Sequence, residues 1–335
     1  MENPDLDALD VDLMPQDRVP PAFPPLFDAA DWRAAQAALA PELAMAAQAL
    51  GRLDEVMAGL DEAARAGATR RLALIETEAM LWAQGRPLRR EEIGRDLMEA
   101  RAGADLEAMR IARWGLRRLE GQGDPGDLRG FLGLYRTEIG GLAEPLAARP
   151  TGEDFDAAEA EFHGLAATLA GVLPLARAPA MRSLWRLCGI SAPEALSESA
   201  AWTARDMASG CEALRFVPLG RHGRGVWIDG GTAPDRMRRH LAAVTQGVGE
   251  ARQELARIGG WRARAMQATA RIKGDNPARV IAELAAHPLL SAAMLEAQTG
   301  ISRDTAERLL ARLRDMGLAR EITGGRRFRL WTASG

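Results

Sequence analysis

SAAMLEAQTGISRDTAERLLARLRDMGLAREITGGRRFRLW, residues 291–331, reads as two capped helices, a tight turn between them and a terminal hairpin. Ser291 caps a short helix containing Met294, Leu295 and Ala297. Gly300 ends it, because a residue without Cβ accepts the left-handed conformation that a tight turn requires. Ile301 packs into that turn, and Ser302 caps the next helix, in which Ala306, Leu309, Leu310, Leu313 and Met316 recur at helical spacing. Gly317 stops it. Residues 318–322 and 327–331 are strand-like, and Thr323-Gly324-Gly325-Arg326 between them supplies the glycines of a tight hairpin. Toward the N-terminus, Asn276-Pro277 opens one more helix with Val280, Ile281 and Leu284 on one face, closed by His287-Pro288. Helix, helix, turn, helix, hairpin over residues 275–331 predicts a winged helix-turn-helix.

In that arrangement the third helix enters the DNA major groove and its first turns reach base edges, while the wing lies near phosphates. Ser302, Arg303, Thr305 and Arg308 are therefore the candidates for base or phosphate contact, since arginine bonds guanine O6 and N7 bidentately. Arg312, Arg326 and Arg327 are the candidates for phosphate. Asp304 and Glu307 run against this, because carboxylates repel phosphates, unless they read cytosine or shield the surface. Charge placement favours a basic head: residues 262–331 carry thirteen basic groups against seven acidic, whereas residues 1–60 carry eleven acidic groups against three arginines.

The chain has 335 residues, 47% of them hydrophobic, which predicts two or three globular domains, and a net charge of −3 excludes a uniformly basic nucleic-acid coat. Lys273 is the only lysine among 43 basic residues, a bias that reflects GC-rich coding, so the arginine count is not itself a signal. Cys188 and Cys211 form no CxxC and no histidines cluster near them, so neither disulfides nor a metal is expected. Without a leader or an apolar run of about 20 residues, the expected compartment is the cytoplasm.

Four segments follow from the pattern. Residues 1–30, rich in Asp and Pro, form an acidic arm. Residues 31–200 are helical almost throughout. Residues 201–272 hold a β-hairpin and a long helix, and residues 273–335 the winged helix, for a mainly α fold overall. The hairpin is read from Arg215-Phe216-Val217-Pro218-Leu219 and Gly225-Val226-Trp227-Ile228 around the basic loop Gly220-Arg221-His222-Gly223-Arg224. Thr232, with Pro234 and Asp235, starts the long helix. Along it Met237, Leu241, Val244, Val248, Ala251, Leu255 and Ile258 form one a/d stripe. Either the chain's own bundle packs on that stripe or a second copy does, through Met237, Leu241, Val244, Val248, Leu255 and Ile258.

The run Ile301-Ser302-Arg303-Asp304-Thr305-Ala306, continued by Leu309, Leu310, Leu313, Gly317-Leu318 and the 323–326 wing, resembles the winged helices of bacterial regulators, including those appended to Fic-type proteins. Phe216-Val217-Pro218-Leu219-Gly220, the Glu254-Leu255-Ala256-Arg257-Ile258 helix with Trp261, and the terminal Arg320 to Trp331 are similar to a plasmid-associated alphaproteobacterial family of unknown function with a C-terminal helix-turn-helix. The resemblance implies a DNA-binding regulator. Apart from it, the expectation is a homodimer, which would read a two-fold site, and no cofactor. Fic proteins transfer AMP through a His-Pro-Phe motif and a Gly-Asn-Gly-Arg turn. That motif is absent: His287-Pro288-Leu289-Leu290 keeps its first two letters only. The segment from Glu76 to Glu92 resembles Fic N-terminal helices.

No other catalytic pattern occurs. His163, His222, His240 and His287 lie on separate elements, Glu159, Glu161 and His163 read as an exposed helix face, and there is no HExxH or Gly-x-Ser-x-Gly. Trp82, Trp114, Trp185 and Trp202 read as core. The expectation is a non-enzymatic, sequence-specific DNA-binding protein acting in transcription or plasmid maintenance. The alternatives are a protein-protein adaptor using the winged helix and a degenerate Fic-related protein.

Overall fold

The computed structural model describes residues 27–97, 105–136, 149–228, 230–323 and 329–334. Most of the expected acidic arm lies outside them. Its boundary moves inward, because the Asp28 carboxylate accepts from the Ala30 N–H and so caps a first helix, α1 (Ala29–Ala38). Pro41 opens α2 (Ala40–Ala58), and Asp61 caps α3 (Glu62–Ala83) by accepting from Ala64. Then come α4 (Arg90–Leu97), α5 (Leu106–Leu119, capped by Asp105) and the short α6 (Leu128–Leu132). They are followed by α7 (Glu153–Ala167), α8 (Pro174–Leu187) and α9 (Leu196–Met207).

The segment expected to be a β-hairpin is not one. Residues Gly220–Gly223 form a 3₁₀ turn that runs into the single-turn α10 (Arg224–Trp227). Its backbone donors go elsewhere: the buried Glu76 carboxyl group of α3 accepts from Leu219 N (2.9 Å) and Gly220 N (2.6 Å), and Ala204 O accepts from Val217 N (2.9 Å). With those N–H groups committed to α3 and α9, no partner strand is needed. Phe216, Val217 and Leu219 are all buried, without the every-other-residue pattern of a strand.

The spine is α11 (Ala233–Thr269), 37 residues, or roughly 55 Å at 1.5 Å per residue. Thr232 caps it through Asp235 N. The a/d stripe is spent inside the chain: Met237, Leu241, Val244 and Val248 are fully buried, and Leu255 and Ile258 nearly so. They face the chain's own α1, α2 and α8 and, at the far end, the C-terminal unit. The dimerisation reading of those six residues is therefore corrected; the apolar seam is the core of one bundle. Gly247 lies in mid-helix for a steric reason. A Cβ there would stand 2.6 Å from Leu219 Cα and O, so the glycine lets the 216–220 segment cross the helix. The expected boundary near residue 200 also dissolves, since one continuous core runs from Trp32 to Leu255.

A second core begins while α11 is still running. Ile258, Trp261 and Ala265 pack with α12 (Asn276–Ala286), β1 (Leu290–Ser291), α13 (Ala292–Thr299), α14 (Arg303–Asp315), β2 (Ala319–Glu321) and β3 (Leu330–Ala333). The three strands form an antiparallel sheet in the order β1-β3-β2, with Ser291 opposite Leu330 and Glu321 opposite Trp331. Ser291 caps α13 through Met294 N, and Gly300 (φ 68°) ends it in the left-handed region, as the sequence reading expected. Thus the winged helix-turn-helix begins some twelve residues earlier than residue 273: Trp261, fully buried, donates from Nε1 to Leu318 O (2.8 Å) just before β2. The molecule is mainly α, as expected, with this small sheet at its C-terminal end. Among the described residues no helix is long and apolar enough to cross a membrane.

Candidate functional site

The outward face of α14 is defined by what the opposite face buries. Ala306, Leu310 and Leu313 are sunk in the second core, which turns Ser302, Arg303, Asp304, Glu307, Arg308 and Arg312 to solvent and leaves Thr305 half-buried. Ser302 lies at the N-cap position, but its hydroxyl bonds Thr305 Oγ1 (3.0 Å) and not a backbone N–H. Arg308 reaches back to the same Thr305 Oγ1 (3.2 Å) and to Asp304 O (3.3 Å). Ser302, Thr305 and Arg308 are thus one linked polar run at the start of the helix. Arg312 follows one turn on, with no carboxylate partner among the described residues.

Arg303 does not join them. At 100° per residue it stands roughly 140° around the axis from Arg308, and its guanidinium lies 3.6 Å from Glu307 in an i,i+4 pair. Arg314 is taken by Asp315 at 2.7 Å. Four arginines and three carboxylates make the exposed face of α14 nearly neutral, so the two unpaired guanidiniums, not net charge, distinguish it. Arg326 and Arg327 lie outside the described residues.

The winged helix is held to the helical body through Arg70 and Arg71, which carry no sequence motif, and through His287, which reads in the sequence as a helix stop. Buried Arg71 of α3 donates to Leu284 O (3.4 Å) and Ala285 O (3.2 Å), two carbonyls left open in the last turn of α12, and pairs with Glu254 of α11 (3.4 Å). Gly67 brings α3 against α12 so closely that a Cβ would stand 2.5 Å from Ala286 Cα. Beside it, Arg70 Nη1 lies 2.8 Å from His287 Nε2, while His287 Nδ1 faces Glu283 O and Oε2, both at 3.2 Å. A guanidinium only donates, so Nε2 accepts and the proton sits on Nδ1. Burial, and then the Arg70 charge, push the His287 imidazole down to about 4. His287 is a fixed, neutral joint residue. No local pattern marks the Arg70 and Arg71 contacts, because they join positions about 200 apart in the chain.

Of the tryptophans read as core, Trp185 and Trp202 are buried beside Phe162 with ring centroids 5.4–5.7 Å apart, and Trp114 packs edge-on to Phe131. Trp82 departs from that reading and keeps 43% of its surface open. His163, 3.7 Å from Glu159, lies on the open side of α7.

No protein-family model matches the sequence, and no curated protein matches it. Among solved structures the chain is similar to a Fic family protein from Desulfovibrio desulfuricans G20. The likeness has a TM-score of 0.50 at 14% identity and covers 89% of this chain and 96% of that one. At that identity the likeness is one of fold alone.

Proposed function

We propose that the chain is a sequence-specific DNA-binding protein, a regulator of transcription or plasmid maintenance, that reads DNA with α14. The observation that carries this reading is the outward run Ser302, Thr305, Arg308 and Arg312 on the second helix of a helix-turn-helix whose opposite face is fully committed to the core. Arg308 lies within the first two turns, where a recognition helix meets base edges, and a bidentate arginine contributes about 1–3 kcal/mol of discrimination. Arg312, one turn later, suits a phosphate. A two-fold site would require a dimer seam other than the α11 stripe.

The test is fluorescence anisotropy on the DNA upstream of the chain's own gene. Arg308→Ala with Arg312→Ala should weaken binding by roughly 100-fold, the loss of two contacts of about 1–2 kcal/mol each. Arg303→Ala, whose guanidinium is already held by Glu307, should weaken it less than about fivefold. Equal binding by wild type and the double variant would remove the reading. A protein-protein adaptor is favoured instead by one observation, the near neutrality of the α14 face, and predicts no DNA binding even at low salt.

A further inference from the structure

Between α3, the 220–223 turn and α11 lies an open cleft of about 730 Å3, within the size range of small-molecule sites. Its floor is apolar, made by Leu72, Ile75, Ala79 and Ala251, and Trp82 stands at one side. The rim is charged, with four arginines and three glutamates.

Three of the arginines are already matched. Arg90 Nε lies 2.7 Å from Glu78, Arg257 Nε lies 2.8 Å from Glu254, and Arg221 bonds Glu250. The acids are ionised partners: burial works against the charge of Glu250 and Glu254, but the hydrogen bonds from His222 and Arg221 to the first and from Arg257 to the second outweigh it and hold both below the usual range. The fourth cation, Arg224, has no carboxylate partner among the described residues. Its guanidinium lies 5.5 Å from the centre of the Trp82 ring. The cleft therefore offers one positive charge without a carboxylate partner, lying over the ring of a tryptophan that keeps 43% of its surface open, above an apolar floor.

We infer that this cleft binds a small aromatic carboxylate, its ring against Trp82 and the apolar floor and its carboxylate on Arg224. A single free cation matches a monoanion, because each further negative charge would have to displace a glutamate from its arginine. A guanidinium and a carboxylate pair bidentately, and the exposed part of the Trp82 ring accepts a flat ring in offset stacking. The site does not rest on the DNA reading.

The experiment is calorimetric titration of the full chain with benzoate, 2-naphthoate and anthracene-9-carboxylate, and with 2-naphthamide as the uncharged control. At least one acid should bind saturably at one site per chain, with the amide roughly 10-fold weaker or worse. Trp82→Ala and Arg224→Gln should each weaken the acid by about 10-fold. Both side chains are solvent-exposed, so thermal melting of these variants should match wild type. Overturning results are no saturable binding of any of the three acids, or binding that neither variant weakens while melting is unchanged. Loss of DNA binding in the Arg308/Arg312 variant, or its absence, leaves these readings untouched.

Discussion

Trp261→Ala is expected to cost about 4 kcal/mol and to unfold the C-terminal unit before the rest of the chain. The side chain is fully buried, and its Nε1 donates to Leu318 O. Truncation therefore removes an aromatic anchor and one of the two hydrogen bonds on that carbonyl, which Ser334 N still serves, and leaves a cavity. Because Ile258, Trp261 and Ala265 are the part of α11 that belongs to the second core, the damage should be local. Urea unfolding followed by circular dichroism should split into two transitions, and brief proteolysis should release residues beyond α11 while the bundle survives. Trp261→Phe, which restores most of the apolar area, should recover more than half of the loss. A cost below about 1 kcal/mol would mean that α11 touches the winged helix without forming its core.

The second large effect is a dependence on pH centred on Glu76. Burial raises its carboxyl to about 8 against the opposing hydrogen bonds from Gly220 and Leu219. Its Oε2 accepts both N–H groups, whereas Oε1 has no partner and is the natural seat of the proton. The folded state thus keeps a proton that the unfolded chain loses near 4.5. This contribution to stability is fully present below about pH 4.5 and is lost progressively as pH rises to about 8, by a total on the order of 3–5 kcal/mol. Glu76→Gln keeps an oxygen for the two N–H groups and has no proton to lose. It should match wild type near pH 4.5 and exceed it by several kcal/mol at pH 8, as read from urea midpoints across that range. Parallel profiles for the two proteins would contradict the account. His287 acts with the opposite sign: its imidazole is held neutral down to about 4, so its contribution is present above about 6.5 and falls away as pH drops toward 4.

The winged helix was legible in the sequence because its signals are local. Ser291, Gly300, Gly317 and the spacing of Ala306, Leu310 and Leu313 are decided by backbone sterics and helical periodicity, and the structure repeats them nearly residue for residue. The Arg303–Glu307 pair was equally implicit in its i,i+4 spacing. Residues 214–231 misled because β-branched and aromatic side chains favour strands only when backbone partners are free. Here Glu76, about 140 residues earlier, takes the N–H groups. The α11 stripe announced a buried seam but not what buries it, since the same a/d pattern suits a bundle of one chain or a coiled coil of two. Arg71 and Gly67 carry no motif at all; their role exists only once α12 lies against α3.

The measurement closest to the central claim is the salt dependence of binding to the upstream DNA, for wild type and the Arg308→Ala/Arg312→Ala variant. Each phosphate neutralised contributes roughly −0.9 to the slope of log affinity against log salt. If Arg308 and Arg312 of α14 act together with Arg326 and Arg327, wild type should give a slope of about −3 to −4, and the variant a slope shallower by one to two units. A wild-type affinity indifferent to salt, or a slope that the variant leaves unchanged, would show that α14 does not lie on DNA.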